Sequence, residues 1–420
     1  MLRLMKYFTF AVYFSLLAVL LSIFISNYKI IPSWAISILK IYPLKITNSS
    51  FKATMSTIPA DHPYYKELEI ASIAVIRTSI LTKKLSDSIA TTQKSGTHTK
   101  DDKSPVTIGD YASQAIINHA IKLNFPEDEI VGEEDAEVLR KDDAEGKDLS
   151  AKVLEIISDV QSQTSQYNNR LGKLEKETEI YDSIDLGNSQ GGSKGRFWAL
   201  DPIDGTKGFL RGDQFAVCLA LIEDGKVVLG VIGCPNLPAT VVSNEEMSGA
   251  RGGLFSAVRG VGSFYSNLFD KQDFTPLSKQ ERIQMTQHTT PESLKVVEGV
   301  EKGHSSHSTQ SQIKDKLGFN TETVSKQTIN LDSQVKYCVL AKGQADIYLR
   351  LPISDTYREK IWDHAAGNIL VYESGGLVGD IHGNELNFGN GRHLNSQGVV
   401  AGNKSVFKKV IEAVSDVLKA

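Results

Sequence analysis

The run QFAVCLALIEDGKVVLGVIGCP, residues 214–235, constrains the fold more than any other stretch. Two β-rich apolar segments meet at Asp224-Gly225, a pair that favours a tight reversal, so the chain is expected to pair with itself as an antiparallel hairpin. RFWAL at 196–200 and GGLFSAVRGVGSFYS at 252–266 continue the pattern with Gly turns. Together they predict an antiparallel sheet.

From near Arg282 the pattern changes. LKVVEGV, ADIYLRL, GLVGDI and QGVVAG read as short buried strands between helices at about 308–317, 333–340, 363–373 and 405–418, an α/β arrangement. Upstream, Leu68, Ile70, Ile73, Ala74, Ile76, Ile80 and Leu81 recur at helical spacing over 64–85, which predicts an amphipathic helix. A second helix is expected to follow Asp110, over about 110–123, and then a strand that ends at Glu133. The polar stretch 141–195 contains QSQTSQYNNR and GNSQGGSKGR; it is expected to be largely loop or flap, helical only near 151–160. The organisation read from these patterns is an extension, 1–54, an α+β sub-domain, 60–280, carrying the polar loop 141–195, and an α/β sub-domain, 281–420.

With 420 residues, 41% of them hydrophobic, the chain can bury one large core or two domain-sized ones. The net charge of -4, without a basic stripe interleaved with aromatics, excludes a nucleic-acid polymer as partner. Cys218, Cys234 and Cys338 have neither zinc-site spacing nor disulfide density, which fits a reducing compartment. Residues 7–28 carry no charge and follow Arg3 and Lys6. That segment is long enough to span a bilayer. It reads either as a signal anchor or as sequence upstream of a true start at Met55.

RFWALDPIDGTKGFLRG, at 196–212, ends an apolar strand on two aspartates. Asp201 and Asp204 repel each other unless a cation lies between them, and oxygen ligands at the mouth of a strand suit a hard ion such as Mg²⁺. Pro202 is expected to turn the chain after Asp201, so that Asp204 faces the same point and the Ile203 carbonyl is free to join. Gly205 lets the backbone come close, and Thr206 is expected to cap the helix or turn that follows, whose amides would receive phosphate. Glu133 in IVGEED, at a strand end, and Asp363 in IWDHAAG, at a helix start, are the further candidate ligands. Glu134 and Asp135 read as solvated neighbours, and a plain Asp-capped turn is the alternative for the tetrad taken alone. An EF-hand is excluded, because Gly212 stands where the closing Glu belongs. Neither a P-loop nor an H-E-x-x-H pattern occurs. His304 and His307 in KGHSSH lack the cysteine or carboxylate company of a zinc site.

GEED, DPIDGTKGF and WDHAAG, in this order, resemble the three signatures of the inositol monophosphatase-like, metal-dependent, lithium-sensitive phosphatases. Longer segments, GRFWALDPIDGTKGFLRGDQFAVCLALIEDGKVVLGVIGCPNLP, VEKGHSSH, LDSQVKYCVLAKGQADIYLRLP and EKIWDHAAGNILVYESGG, look like the fungal 3'(2'),5'-bisphosphate nucleotidases. The likeness runs from roughly residue 60 to the C-terminus. It implies an α/β fold built as a layered α-β-α-β-α sandwich of the sugar-phosphatase kind, with the site between two sub-domains. It also implies about two or three Mg²⁺ ions and inhibition by Li⁺ and Na⁺. The implied reaction removes the 3'-phosphate of adenosine 3',5'-bisphosphate to give AMP, with 3'-phosphoadenylyl sulfate as a second substrate and a role in sulfate assimilation and salt tolerance.

Under that resemblance Glu133, Asp201, Asp204, Asp363 and the carbonyl of Ile203 would bind metal. Asp110, in TIGDYA, and Thr206 would orient and activate the attacking water. Nucleotide contacts would fall on Thr206, His304, Ser305, Ser333, Lys336 and Arg350, the cationic ones suiting a 5'-phosphate. Without it, Lys336 reads as a solvated charge on a helix and Arg350 as a salt-bridged strand end. An inositol polyphosphate 1-phosphatase or inositol monophosphatase is one alternative, and a non-catalytic, membrane-tethered nucleotide or ion sensor is another. The related yeast enzymes are soluble, so a cytoplasmic monomer is expected, with membrane anchoring through 7–28 as the alternative.

Overall fold

The computed structural model describes residues 58–94, 104–240, 242, 244, 249–269, 280–300, 307–352, 354 and 356–419. The segment 7–28 lies outside them, as do His304 and Ser305. Among the described residues no helix is long and apolar enough to cross a membrane.

Helices α1 (Tyr65–Lys94) and α2 (Ser104–Asn124) come first, followed by β1 (Glu129–Gly132), α3 (Ala144–Gln163) and α4 (Glu177–Asp185). Then come β2 (Arg196–Asp204), α5 (Thr206–Arg211), β3 (Ala216–Glu223), β4 (Lys226–Pro238), β5 (Arg251–Val258), β6 (Gly262–Asn267) and β7 (Glu281–Ile283). The remainder holds β8 (Val296–Glu298), α6 (His307–Leu317), β9 (Thr328–Asn330), α7 (Val335–Ala341), β10 (Ile347–Arg350), α8 (Ala365–Glu373), β11 (Gly376–Gly379), β12 (Val399–Asn403) and α9 (Phe407–Leu418).

The expected hairpin joins β3 to β4. Asp224 and Gly225 both take positive φ, 47° and 74°, as a tight two-residue turn of the right hand for a twisted hairpin requires. Strands β1 to β7 form a seven-stranded sheet in sequence order. It is antiparallel throughout except that β1 runs parallel to β2. The second sheet has five strands in the order β11-β12-β10-β8-β9. Because β7 belongs to the first sheet, the change of sheet falls between Ile283 and Val296. Both sheets lie in one compact unit.

Side-chain alternation along β2 explains the layers. Trp198 and Leu200 share a core with Leu68 and Ile73 of α1 and Ile117 of α2. Phe197 and Ala199, on the other face, join Tyr337 of α7, Ile369 of α8, and Tyr348 and Val399 of the second sheet. Beyond that sheet, Ile347, Leu349 and Val400 pack with Ile313 and Leu317 of α6 and Val410 and Val414 of α9. The chain therefore stacks α1/α2, sheet, α7/α8, sheet and α6/α9, the expected α-β-α-β-α sandwich. Strands covered on both faces need apolar residues at nearly every position, which is why 215–222 reads as an almost unbroken apolar run.

Two expectations fail here. TIGDYA lies inside α2 and does not precede it, because Ile108 already starts the apolar stripe that Tyr111, Ala112, Ala115 and Ile116 continue. The polar stretch 141–195 is mostly helical: α3, short turns at Ser165–Tyr167 and Asn168–Leu171, and α4. Its Gln, Ser and Asn residues mask Val153, Ile157, Val160, Ile180 and Ile184, which are buried against the α2 stripe.

Arg77 of α1 pins this helical insert. Its guanidinium, 1% exposed, donates to Thr164 Oγ1 at 2.9 Å, the Thr164 carbonyl at 3.0 Å and Asn168 Oδ1 at 2.7 Å. Arg77→Met strips these buried acceptors of their donor and is expected to cost about 3 kcal/mol of stability in urea denaturation.

Candidate active site

Asp201 and Asp204 stand three positions apart on β2, and in a regular strand such residues point to opposite faces. The strand does not turn at Pro202, as the sequence suggested. Asp201 pairs with Cys218 and Asp204 with Ala216, so three steps along β2 oppose two along β3. The extra residue is a β-bulge, which returns both carboxylates to one side. Pro202 has no N–H to give a ladder and is tolerated there for that reason.

Gly205 follows at φ 91° and occupies the N-cap of α5 with no side-chain capping bond. Thr206 is therefore not the cap; it is the first residue of α5 and lines the cleft. A Cβ on Gly205 would lie 2.9 Å from Ser333 Cβ, so Gly is needed for both its backbone hand and this close approach.

The cleft holds about 310 Å³ and is lined by Glu133, Asp201, Ile203, Asp204, Thr206 and Asp363 together with Ser333, Gln334, Lys336 and Arg350. Glu133 is the first residue beyond β1, and Asp363 sits just before His364, the N-cap of α8. Asp110 does not line the cleft. It lies behind it on α2, brought close because Gly109 has no side chain: a Cβ there would stand 2.7 Å from Ile203 Cδ1.

Burial, then Glu133, Asp204, Asp363 and Asp110, holds the Asp201 carboxyl well above the usual range. Loss of water around its carboxyl, although the residue still reaches solvent, and then Asp204 raise Glu133, against a hydrogen bond with Asp201. Asp363 is raised by burial and then by Asp204. Asp204 is raised by burial, against the pull of Lys336 and of the Gln334 N–H that donates to its Oδ2. Asp110 is raised by burial, then by Glu134 and Glu133. Such a cluster is unfavourable by itself. Asp201 Oδ1 is buried with no hydrogen-bond partner among the described residues. A buried acceptor left open among oxygen donors fits a hard divalent cation such as Mg²⁺.

In the same cleft Lys336 is 6% exposed, not solvated. Its ammonium donates to the Ser333 carbonyl at 2.7 Å and lies 5.6 Å from the Tyr348 ring centroid. Burial pushes it down to about 8 despite nearby Asp204. Ser333 takes φ 60°, a conformation that costs energy in a residue with a side chain. Arg350 ends β10 and is both ion-paired and cleft-lining: Nε meets Glu359 Oε1 and Nη2 meets Glu359 Oε2, each at 2.7 Å.

Several contributors escaped the sequence reading. Gln334, besides its bond to Asp204, donates from Nε2 to the Trp362 carbonyl at 2.8 Å and accepts from the Gly367 N–H at 2.9 Å. It thus ties the first aspartate pair to the Asp363 segment. Ligand atoms of Glu359, Asp363 and His364 lie within 4.8 Å of one another. Glu359 is committed to Arg350, and His364 Nδ1 to the Tyr337 hydroxyl at 2.7 Å, which leaves Asp363 as the member of that trio lining the cleft. Burial works to raise Glu359, but His364 and Arg350 outweigh it and hold it near about 2. Gln334 and His364 stand inside LDSQVK and WDHAAG, yet nothing in those letters names their distant partners.

The model of the inositol monophosphatase family matches residues 65–419. The chain is 72% identical over 358 residues to a Candida albicans protein named 3'(2'),5'-bisphosphate nucleotidase 2, covering 85% of this chain and 99% of that protein. It is 48% identical over 368 residues to the 3'(2'),5'-bisphosphate nucleotidase of Emericella nidulans, covering 85% and 99%. Among solved structures, an inositol monophosphatase from Zymomonas mobilis matches with a TM-score of 0.51 and 17% identity over 84% of this chain and 99% of that one, a likeness of fold.

Proposed function

Because the chain belongs to the inositol monophosphatase family, we propose that its cleft hydrolyses the 3'-phosphate of adenosine 3',5'-bisphosphate to give AMP and phosphate. The carrying observation is one cleft lined both by four carboxylates, Glu133, Asp201, Asp204 and Asp363, and by two cations, Lys336 and Arg350. A substrate with two phosphates uses both the carboxylates, through a metal, and the cations, whereas a monophosphate leaves the cations idle. The carboxylates come mainly from the seven-stranded part and the cations from the five-stranded part, which supports reading these as sub-domains that meet at the site.

Glu133, Asp201, Asp204, Asp363 and the Ile203 carbonyl are the groups that would hold Mg²⁺. When bound, Mg²⁺ neutralises the scissile phosphate and makes the attacking water more acidic. Thr206, exposed at the start of α5, can both donate to and accept from that water. Asp110, buried behind the carboxylates, acts on that water through Thr206 and takes up the proton that the hydroxyl relays. The water oxygen joins phosphorus, the bond to the 3'-oxygen breaks, and that oxygen takes a proton from solvent and leaves as the 3'-hydroxyl. Ser333, Lys336 and Arg350 take the 5'-phosphate. The same arrangement accepts 3'-phosphoadenylyl sulfate, whose 5' side is also anionic.

Phosphate release from adenosine 3',5'-bisphosphate is expected to require Mg²⁺, to stop with EDTA and to vanish in Asp204→Ala. The nucleotide is expected to be used at least about 100-fold more efficiently than inositol 1,4-bisphosphate. A preference for the inositol compound would overturn the nucleotide reading. Nucleotide and metal binding without release would replace it with a sensor.

A further inference from the structure

Arg392 belongs to none of the motifs and lies outside the cleft lining. Its guanidinium donates through Nη1 to the carbonyls of Gly187 at 3.1 Å and Ser189 at 3.0 Å, and through Nη2 to the carbonyl of Gly132. The same group lies 4.8 Å from the centroid of the Trp362 ring. Its backbone carbonyl accepts from the Ile361 N–H at 3.2 Å. Gly132 immediately precedes Glu133, and Trp362 immediately precedes Asp363. One side chain therefore grips the residues next to two candidate ligands, Glu133 and Asp363, that are far apart in the sequence.

We propose that Arg392 is a positioning residue that sets the spacing of Glu133 and Asp363 for the cation. The proposal rests on the reading of these carboxylates as a metal site. Carbonyls of β1 and of residues 187–189 are held by one planar fork, while the flat face of that fork lies against Trp362, so neither ligand segment can shift without breaking a contact of the other. Trp362 is 5% exposed. It has a second cation at its ring, the Lys360 ammonium at 5.3 Å, and Lys360 in turn meets His393 Nε2 at 2.8 Å. These contacts keep the 359–363 and 392–394 segments together, as do Leu394 N–H to the Glu359 carbonyl at 2.8 Å and the Lys360–His393 bridge. A lysine at 392 would keep the charge but lose the fork and the stacked plane.

The test is direct Mn²⁺ binding to the full-length protein without nucleotide, followed by the electron paramagnetic resonance of free Mn²⁺, for the wild type, Arg392→Lys and Arg392→Met. Both variants are expected to bind at least about 10-fold more weakly. The Mg²⁺ concentration for half-maximal phosphate release should rise by the same factor, with activity recovering as Mg²⁺ is raised. Trp362→Leu removes the stacking surface while sparing the carbonyl contacts, and is expected to weaken Mn²⁺ binding by about 3-fold or more; it serves if the Arg392 variants do not fold. Binding within about 2-fold of wild type in the folded variants, or full retention in Arg392→Lys, would overturn the proposal and leave the metal site standing. No Mn²⁺ binding by the wild type would overturn the metal site itself.

Discussion

Asp201→Asn is expected to lower phosphate release roughly a thousandfold and, in metal-free buffer, to raise the melting temperature by about 2–4 °C. Both effects have one cause. Asp201 is 2% exposed, its Oδ1 has no partner among the described residues, and Glu133, Asp204, Asp363 and Asp110 all act on it. Without a cation, its negative charge costs stability, because burial and like charges both disfavour it. An amide of the same shape removes the charge and supplies an N–H for a neighbouring carboxylate. With a cation the balance reverses, since the loss of an anionic ligand weakens the charge stabilisation of the reacting phosphate by about 4 kcal/mol, which is about a thousandfold in rate. Thermal unfolding in EDTA and in millimolar Mg²⁺ should therefore rank the two proteins in opposite orders. A variant as active as wild type, or one less stable than wild type in EDTA, would contradict the assignment of Asp201 as a ligand.

Lys336→Met is expected to lower kcat/KM about a hundredfold for adenosine 3',5'-bisphosphate and less than about threefold for adenosine 3'-phosphate, which lacks the second phosphate. A charge-assisted hydrogen bond to phosphate contributes about 1.5–3 kcal/mol, equivalent to roughly 10- to 150-fold. The ammonium is held in place by the Ser333 carbonyl at 2.7 Å, so little ordering remains to be done when the phosphate arrives. Burial has already pushed its pKa to about 8. The protonated form binds phosphate, so kcat/KM should fall as pH rises through that value. Cations on Asp204 and Asp363 cancel negative charge that now supports the ammonium, so in the metal-loaded enzyme the descending limb should lie at or below about 8. Lys336→Met should lack this limb. Equal losses on both substrates would mean that Lys336 supports the fold of the cleft and does not read the 5'-phosphate.

Local chemistry made much of this molecule legible. Asp224-Gly225 between apolar β-rich runs could only be a hairpin, and the alternating strands and helices after Arg282 could only be an α/β layer, because turn residues and periodicity act over a few neighbours. Glu133, Asp201 and Asp204 were legible for the same reason: acids ending apolar strands have no packing role there, and Asp363 stood out as an acid at a helix start. Three other features depended on contacts between distant residues. Asp201 and Asp204 share a side through a bulge defined against β3, not through a turn at Pro202. The insert at 141–195 is helical because Val153, Ile157 and Val160 find the face of α2, a partner its polar composition does not reveal. Arg350 is paired with Glu359 and Arg392 is clamped between Gly132 and Trp362. A charged side chain carries no mark of its partner in the sequence. Its role is settled when packing removes water from around it and only one set of acceptors remains within reach.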